Sequence, residues 1–234
     1  MQLVIEPLIN ADSLQQILSA IEQGQIVSRS LHMQSGQVSM QRAVYDQALV
    51  FDGKVLTTVH GPRWRLLIIG AAQVSRYLAE MAMALDYQVT VCDPREEYSP
   101  TWQVPNVPVT RLMPDDVVRE MVPDKHTAIV CLSHDPKLDD MALLEALISD
   151  AFYVGAIGSQ INNQKRRARL ALFDISEDEI ASLHGPIGLP IGSKTPPEIA
   201  ISILAQMTAI RRGVYHQHYS EAANKIESLQ ETTT

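Results

Sequence analysis

The chain is poor in cysteine, with two among 234 residues, and poor in phenylalanine, with three. Two thiols, Cys92 and Cys131, cannot build a disulfide framework, so stability must come from a buried apolar core and no oxidising compartment is implied. With no CxxC pair and no histidine at ligand spacing they make a poor zinc site, and buried structural thiols are expected. Long apolar runs are also missing: no stretch approaches the roughly 20 residues that span a bilayer. The N-terminal segment lacks the basic and apolar regions of a secretory signal, so a cytoplasmic protein without membrane contact is the expectation. Positive charge is in deficit, with 19 Lys and Arg against 27 Asp and Glu. A surface of net charge −8 repels phosphate backbones, which argues against a nucleic-acid partner. No G-x-S-x-G, H-E-x-x-H or P-loop is present.

What is present is the composition of a globular protein, 46% hydrophobic and 20% charged, with enough chain for one large domain or two small ones. Residues 1–62 read as a small α+β unit. Leu3-Val4-Ile5 is a short strand candidate closed by Pro7. Asp12 or Ser13 caps a helix with Leu14, Ile17, Leu18 and Ile21 on one face, ending at Gly24. A strand is expected over 25–31. Asp52-Gly53, between apolar runs at 48–51 and 54–59, predicts a hairpin with a type I′ turn.

From residue 63 the pattern changes to strands alternating with helices. Strands are expected at 66–69, 88–92, 127–132 and 152–157. Helices are expected after Gly70, with Val74, Leu78, Met81 and Leu85 at helical spacing, and at 136–148 and 161–173. Pro94, Pro100, Pro105 and Pro108 predict an irregular connection. Ser176-Glu177-Asp178-Glu179 and Thr195-Pro196-Pro197-Glu198 match capping boxes, the second opening a helix from Pro196 to about Arg212. The fold expected is α/β: a Rossmann-like parallel sheet with helices on both faces over 63–213, preceded by the small α+β unit and followed by a polar tail, 214–234.

Ligands of open α/β sheets bind outside the carboxyl ends of the strands, so the turns there are the candidates. Gly70-Ala71-Ala72-Gln73 stands where a dinucleotide fold has G-x-G-x-x-G; Gly70 fits the turn, whereas Ala72 puts a methyl where the second glycine admits a pyrophosphate. Asp93 follows roughly twenty residues later, the spacing of an acid that holds a ribose hydroxyl, or else forms a plain Asp-Pro turn with Pro94. In Ser133-His134-Asp135-Pro136-Lys137, His134 can donate to an anion and Asp135 can contact ligand or cap the next helix. Gly155-Ala156-Ile157-Gly158-Ser159 repeats the geometry after the next strand. Lys165-Arg166-Arg167-Ala168-Arg169 is either a solvated helix face or a facing charge for an anion. The loop from Gly185 to Ser193, with Gly188 and Gly192, is rich in backbone donors and suits an anion or a bulky cofactor. His216 and His218 read as solvent-exposed, and no metal site is expected.

Leu66-Leu67-Ile68-Ile69-Gly70-Ala71, Ser133-His134-Asp135-Pro136-Lys137-Leu138-Asp139-Asp140, Tyr153-Val154-Gly155-Ala156-Ile157-Gly158-Ser159 and Pro186-Ile187-Gly188-Leu189-Pro190-Ile191-Gly192 occur in one order. Together they resemble the C-terminal domain of the XdhC/CoxI family, maturation factors of xanthine dehydrogenase and related molybdenum hydroxylases, over residues 63–213. The resemblance implies a non-catalytic accessory protein that binds molybdenum cofactor and assists its sulfuration and insertion into a molybdenum hydroxylase of the xanthine dehydrogenase type. The cofactor-binding residues expected are Gly70, Ala72, Asp93, His134, Asp135, Gly155, Gly158, Ser159, Lys165, Gly188 and Gly192. Ala72 and Gln73 replace a glycine and a histidine usual in the family. The family's N-terminal module carries an S-G-G-C segment, and no cysteine precedes Cys92 here; residues 1–62 look like the segment that joins the two modules. A separate protein supplying that module, or a homodimer, is therefore expected. The competing readings are an NAD(P)-dependent oxidoreductase and a nucleotide-sensing Rossmann domain.

Overall fold

The computed structural model describes residues 4–7, 11–23, 25–43, 49–96 and 102–215. Leu3, Gly24, Ala48, Pro100 and residues 216–234, with His216 and His218, lie outside the described residues. Two compact units are formed, Met1–Arg63 and Trp64–Thr234.

The first unit has helix α1 (Asp12–Glu22) and an antiparallel sheet in the order β2-β1-β4-β3, formed by β1 (Val27–His32), β2 (Val38–Arg42), β3 (Val50–Phe51) and β4 (Val55–His60). Val27, Arg29 and Leu31 alternate onto the buried face of β1, as the period of two requires. The buried Arg29 pairs with the Glu6 carboxylate. That contact explains a departure from expectation: residues 4–7 form no strand, and Glu6 serves as a counter-charge. Asp12 is the first residue of α1, not its cap. The hairpin forms, but its turn is shifted by one residue. Asp52 N–H donates to the Val55 carbonyl at 3.3 Å, so Gly53 and Lys54 are the central pair. Gly53 has φ +90° and Lys54 stays out of the left-handed region, the pattern of a II′ turn in place of I′. Asp52 stabilises the turn through Oδ1, which accepts from Lys54 N and Val55 N at 2.8 and 2.7 Å.

The second unit is a parallel sheet in the order β7-β6-β5-β8-β9. Its strands are β5 (Arg65–Ile69), β6 (Gln88–Cys92), β7 (Val109–Thr110), β8 (Thr127–Cys131) and β9 (Tyr153–Ala156). Leu66, Ile68, Val89, Val91, Ala128 and Val130 face one side, covered by α2 (Gln73–Ala84) and α7 (Pro196–Arg211). Leu67, Ile69, Cys92, Ile129 and Cys131 face the other, covered by α3 (Pro114–Met121), α4 (Pro136–Ala146), α5 (Gln160–Leu170) and α6 (Glu177–Ser182). Both thiols are buried and unoxidised in this second layer. Over its described residues, the connection after Pro94 is more ordered than its prolines suggest. It contributes β7, whose neighbour Pro108 accepts from Val91 N at 3.0 Å, and α3, which starts on Pro114 with Asp115 and Asp116 in its first turn. The capping box at Ser176 is closed in both directions. At α7, Glu198 Oε2 accepts from the Thr195 and Lys194 amides, each at 2.8 Å. Among the described residues no helix is long and apolar enough to cross a membrane.

One buried polar cluster pins the loop before α7. Tyr153 Oη donates to Gln206 Oε1 at 2.6 Å, which also accepts from Gly188 N at 2.8 Å. His184 stacks on the Tyr153 ring at 4.7 Å between centroids, and its backbone continues the ladder beside β9 through Val154 and Ala156. Burial first, and the Arg167 charge second, push the His184 imidazole down from its usual 6.5 to about 4. The ring is neutral in the folded chain at pH 5, whereas in the unfolded chain it is protonated. Stability is therefore fully present above pH 6.5 and is lost as pH falls from 6.5 to about 4, amounting to about 3 kcal/mol for this one group. Chemical denaturation at pH 7 and pH 4.5 should show a smaller decrease for His184→Phe than for the parent chain; equal decreases would remove His184 from the account.

Candidate functional site

Because β5, β6, β8 and β9 run parallel, the residues that follow them share one edge: Gly70, Asp93, Ser133-His134 and Ile157-Gly158. The strand order reverses between β5 and β8, which makes the junction of Gly70 with Ser133 the topological switch point, where ligands of this architecture bind.

At that junction the two backbones touch. Gly70 has φ +100°, and a Cβ built on it would lie 2.5 Å from Ser133 Cα and 2.7 Å from Ser133 N. Only glycine fits. Ala72 is the N-cap residue of α2; it supplies no side-chain oxygen, and no acid stands in the first turn, so the helix's own side chains do not cap those amides. Asp93 is 1% exposed and saturated: its oxygens accept from Ala71 N at 2.8 Å, Arg95 N at 3.1 Å, and Arg95 Nε and Nη2 at 2.9 Å each. Burial acts to raise its pKa, but the Arg95 and Ala71 bonds outweigh it and the carboxyl is held below the usual range. Arg95 extends further, with Nη1 3.3 Å from the Ser133 carbonyl.

A second buried carboxylate organises the loop after β8. Asp139 accepts from Ser133 Oγ at 2.6 Å and Ser133 N at 3.2 Å, and pairs with Arg166 Nη2 at 3.1 Å. Arg166 also donates to the Ile157 carbonyl at 2.9 Å and to Asn163 Oδ1 at 2.7 Å, tying the loop after β9 to the same network. Its Nε lies 3.5 Å from Asp140 Oδ1, near enough for Coulomb attraction but not aligned as a hydrogen bond. Burial dominates at Asp139 and pushes its carboxyl up despite Ser133 and Arg166. Held by Ser133, His134 has φ +58°, uncommon for a residue with a Cβ, and is exposed.

The expected site residues separate into two groups. Gly70, Ala72, Asp93, His134, Gly158 and Ser159 stand at the carboxyl edge. Gly158, at φ +138°, and Ser159 lead into α5, where Ser159 Oγ accepts from Asn162 N at 3.2 Å. Asp135 caps α4 by accepting from Lys137 N at 2.9 Å. Gly155 lies inside β9, where a Cβ would meet Ile187 Cδ1 at 2.7 Å, so its lack of a side chain serves packing. Gly188 is pinned to α7, with Ser202 Oγ 2.4 Å from a would-be Cβ, while Gly192 meets open space. Lys165 is exposed on α5, whereas its arginine neighbours are engaged by groups of the protein itself. Arg166 is buried, Arg167 donates to the Ile180 and Leu183 carbonyls, and Arg169 holds Asp140 through Nε at 2.6 Å and Nη2 at 3.0 Å. Arg95 and the Asp139–Arg166 pair escaped the sequence reading. The available signals were Arg95 standing two residues after Asp93, and an acid beyond the cap of α4 with an arginine on the next helix. Among the described residues no three His, Cys, Asp or Glu side chains converge on a metal position.

Removing one partner of a buried ion pair strands the other charge. Arg166→Met should lower the unfolding free energy by about 3–5 kcal/mol. The loss should be larger at pH 8 than at pH 5, because the isolated Asp139 is relieved by protonation as pH falls. Adding Asp139→Asn should recover part of it; a single variant as stable as the parent in urea would contradict this account.

Compared with known proteins, residues 66–207 match the XdhC Rossmann domain. The chain is 32% identical over 161 residues to YqeB, an uncharacterized protein of Escherichia coli K12, covering 67% of this chain and 29% of that protein. It is 27% identical to a probable xanthine dehydrogenase subunit of Bacillus subtilis 168, covering 65% and 44%. It is 25% identical to the molybdenum cofactor insertion chaperone PaoD of E. coli K12, covering 64% and 41%. The matches thus take in less than half the length of each of these curated relatives. Among solved structures, one described as a xanthine dehydrogenase from Bacillus halodurans superposes with a TM-score of 0.65 at 20% identity, over 90% of this chain and 67% of that one; the likeness is one of fold. With a match across more than half its residues, the chain belongs to the XdhC family, through its Rossmann domain.

Proposed function

We propose that the chain is an accessory protein that holds molybdenum cofactor at the carboxyl edge between β5 and β8 and assists its maturation and insertion into a molybdenum hydroxylase of the xanthine dehydrogenase type. The family membership supports this reading, together with the names of two relatives, a molybdenum cofactor insertion chaperone and a xanthine dehydrogenase subunit. The observation that carries it is the edge itself. The phosphate of the cofactor is an anion, and the start of α2, without a side-chain cap or a first-turn acid, presents backbone donors to one. The residues present fit such a group. Gly70 keeps the crevice floor free of side chains, and the exposed His134 stands beside it. Gly158 and Ser159 form the neighbouring rim, and Lys165 supplies a positive charge further along α5.

In this reading residues 63–213 hold the cofactor, residues 1–62 form a separate joining unit and 214–234 a tail. Asp135, Gly155, Gly188 and Gly192 shape the surrounding loops. The cofactor's redox chemistry is expressed in the target enzyme, and this chain's residues bind, orient and shield. An oxidoreductase using NAD(P), or a nucleotide sensor, is disfavoured by the methyl of Ala72 where a pyrophosphate needs close approach.

The test is to load the purified chain with molybdenum cofactor and follow retention and transfer to a cognate apo-hydroxylase. His134→Ala should weaken retention by about 1.5–3 kcal/mol, the worth of a hydrogen bond to a charged group, with the melting temperature nearly unchanged. Undiminished retention would remove His134 from the site. Steady hydride transfer from NADH or NADPH to simple substrates would overturn the accessory reading.

A further inference from the structure

Large apolar side chains scattered singly over a surface are ordinary, whereas several gathered on one rim mark a contact surface. Four of the exposed ones in the second unit stand just beyond helices of the same layer. Val122 follows α3 and is 72% exposed, Ile148 follows α4 at 56%, and Leu172 and Phe173 follow α5 at 82% and 56%. Helices α3 and α4 lead into β8 and β9, so both end at the amino edge of the sheet, opposite the crevice. Helix α5 starts at the carboxyl edge and leads back, through α6, to His184 beside β9. The sequence neighbours Met121, Leu147, Leu170 and Ile175 pack into one core cluster, and Arg119 Nη2 joins α3 to Glu145 of α4 at 3.1 Å. The four exposed side chains thus emerge around one buried cluster. Val122 is also β-branched at φ +46°, a conformation that glycine or asparagine adopts at less cost. Arg65 fixes that turn, donating from Nη1 to the Met121 carbonyl at 2.7 Å and from Nη2 to the Val122 carbonyl at 3.0 Å. The valine side chain gains little burial in return for its backbone strain.

We infer that this amino-edge rim docks a partner protein whose contact surface has an apolar centre and a margin rich in lysine and arginine. Charge decides the occupant. Glu120, Asp150, Asp174, Glu177 and Asp178 are exposed in the same helix ends and connections. Of the cations there, Arg119 is engaged by Asp115, Asp116 and Glu145, Arg167 by two carbonyls and Arg169 by Asp140. Lys125 is the exposed cation left among the described residues of these segments. Helix α4 has no basic residue in its last turn, so its C-terminal partial charge adds to that of the acids. Apolar residues exclude water from the centre of such a contact, and complementary charge at its margin selects the partner. A second copy of the chain is disfavoured, because a two-fold contact would set these acids against themselves. The inference does not rest on the cofactor reading, and a partner seated on this edge leaves the crevice at the other edge free.

The probe is a labelled amphipathic helical peptide of leucine and lysine, with a leucine–glutamate peptide of the same pattern as control. Fluorescence anisotropy with the full chain should show the lysine peptide binding with an affinity that falls as salt rises, and no binding of the glutamate peptide. Leu172→Ser combined with Phe173→Ser should lose affinity tenfold or more. Ile161→Ser, which removes an exposed apolar side chain from the opposite end of α5, should leave it unchanged. Val122→Asn should weaken binding while leaving the melting temperature equal or higher, since the strain is relieved. A photo-reactive leucine in the peptide, followed by peptide mass in the parent chain, gives the same answer should a variant fail to fold: cross-links belong at residues 148–150 and 172–175. Absence of binding by the parent, equal affinity in the Leu172 and Phe173 variant, equal loss in Ile161→Ser, or cross-links confined to other segments would each overturn the assignment. A parent dimer that dissociates in Leu172→Ser on sedimentation would give the rim to a second copy, and would overturn it too.

Discussion

The contact of Gly70 with Ser133 sets the spacing on which the rest of the site depends. A parallel sheet normally leaves a crevice at its switch point because the connections on either side depart in opposite directions. Here the floor of that crevice is backbone against backbone, closer than any side chain permits. Such a contact holds only if both partners are fixed. Gly70 N–H is fixed by the Cys92 carbonyl at 2.8 Å, and Ser133 by Asp139, which accepts from both its hydroxyl and its amide. Asp139 in turn requires Arg166, and Arg166 requires Ile157 and Asn163. The loops after β5, β8 and β9 thus form one mechanical unit, and the left-handed backbone of His134 is a consequence of where Ser133 is held.

Two buried carboxylates within this unit differ in sign of response. Asp93 and Asp139 are both almost fully buried, and each has an arginine and a backbone amide as partners. Asp93 stays below the ordinary range because its donors are many and close, with two nitrogens of one guanidinium on its two oxygens. Asp139 receives Arg166 through one nitrogen while that arginine divides its other bonds between a carbonyl and an amide oxygen. Burial then prevails and its carboxyl rises. Donor geometry, and not burial alone, separates a carboxylate that is firmly charged from one poised closer to neutral.

Most of the second unit was legible in the sequence because its signals are local. The strands β5, β6 and β8 fall within a residue of their expected bounds, and Ser176 and Thr195 marked helix starts by spacing alone. What escaped is non-local or short. β7 has two residues, too few for a period, and exists because Val91 finds the Pro108 carbonyl. The hairpin turn moved by one residue because Asp52 bonds the backbone ahead of it, leaving Gly53 to take the positive φ. Residues 4–7 are apolar enough for a strand, yet the nearest strong demand is that of the buried Arg29 for a counter-charge.

The glycines show the same division within the site. Gly70, Gly155 and Gly188 look alike in a motif, each following or ending an apolar run, but their neighbours give them different work. At Gly70 the obstructing atoms are backbone on another strand end, so the residue shapes the crevice floor. At Gly155 they are the Ile187 and Tyr153 side chains, and at Gly188 the hydroxyl of Ser202, so those residues fasten a loop to the core. A pattern of glycines records where a side chain is forbidden without recording what forbids it. The basic run on α5 has the mirror-image ambiguity: three arginines that could have faced an anion are engaged by Asp139, Asp140 and the carbonyls of Ile180 and Leu183. Arg95, isolated in sequence, is held between Asp93 and the Ser133 carbonyl at the carboxyl edge.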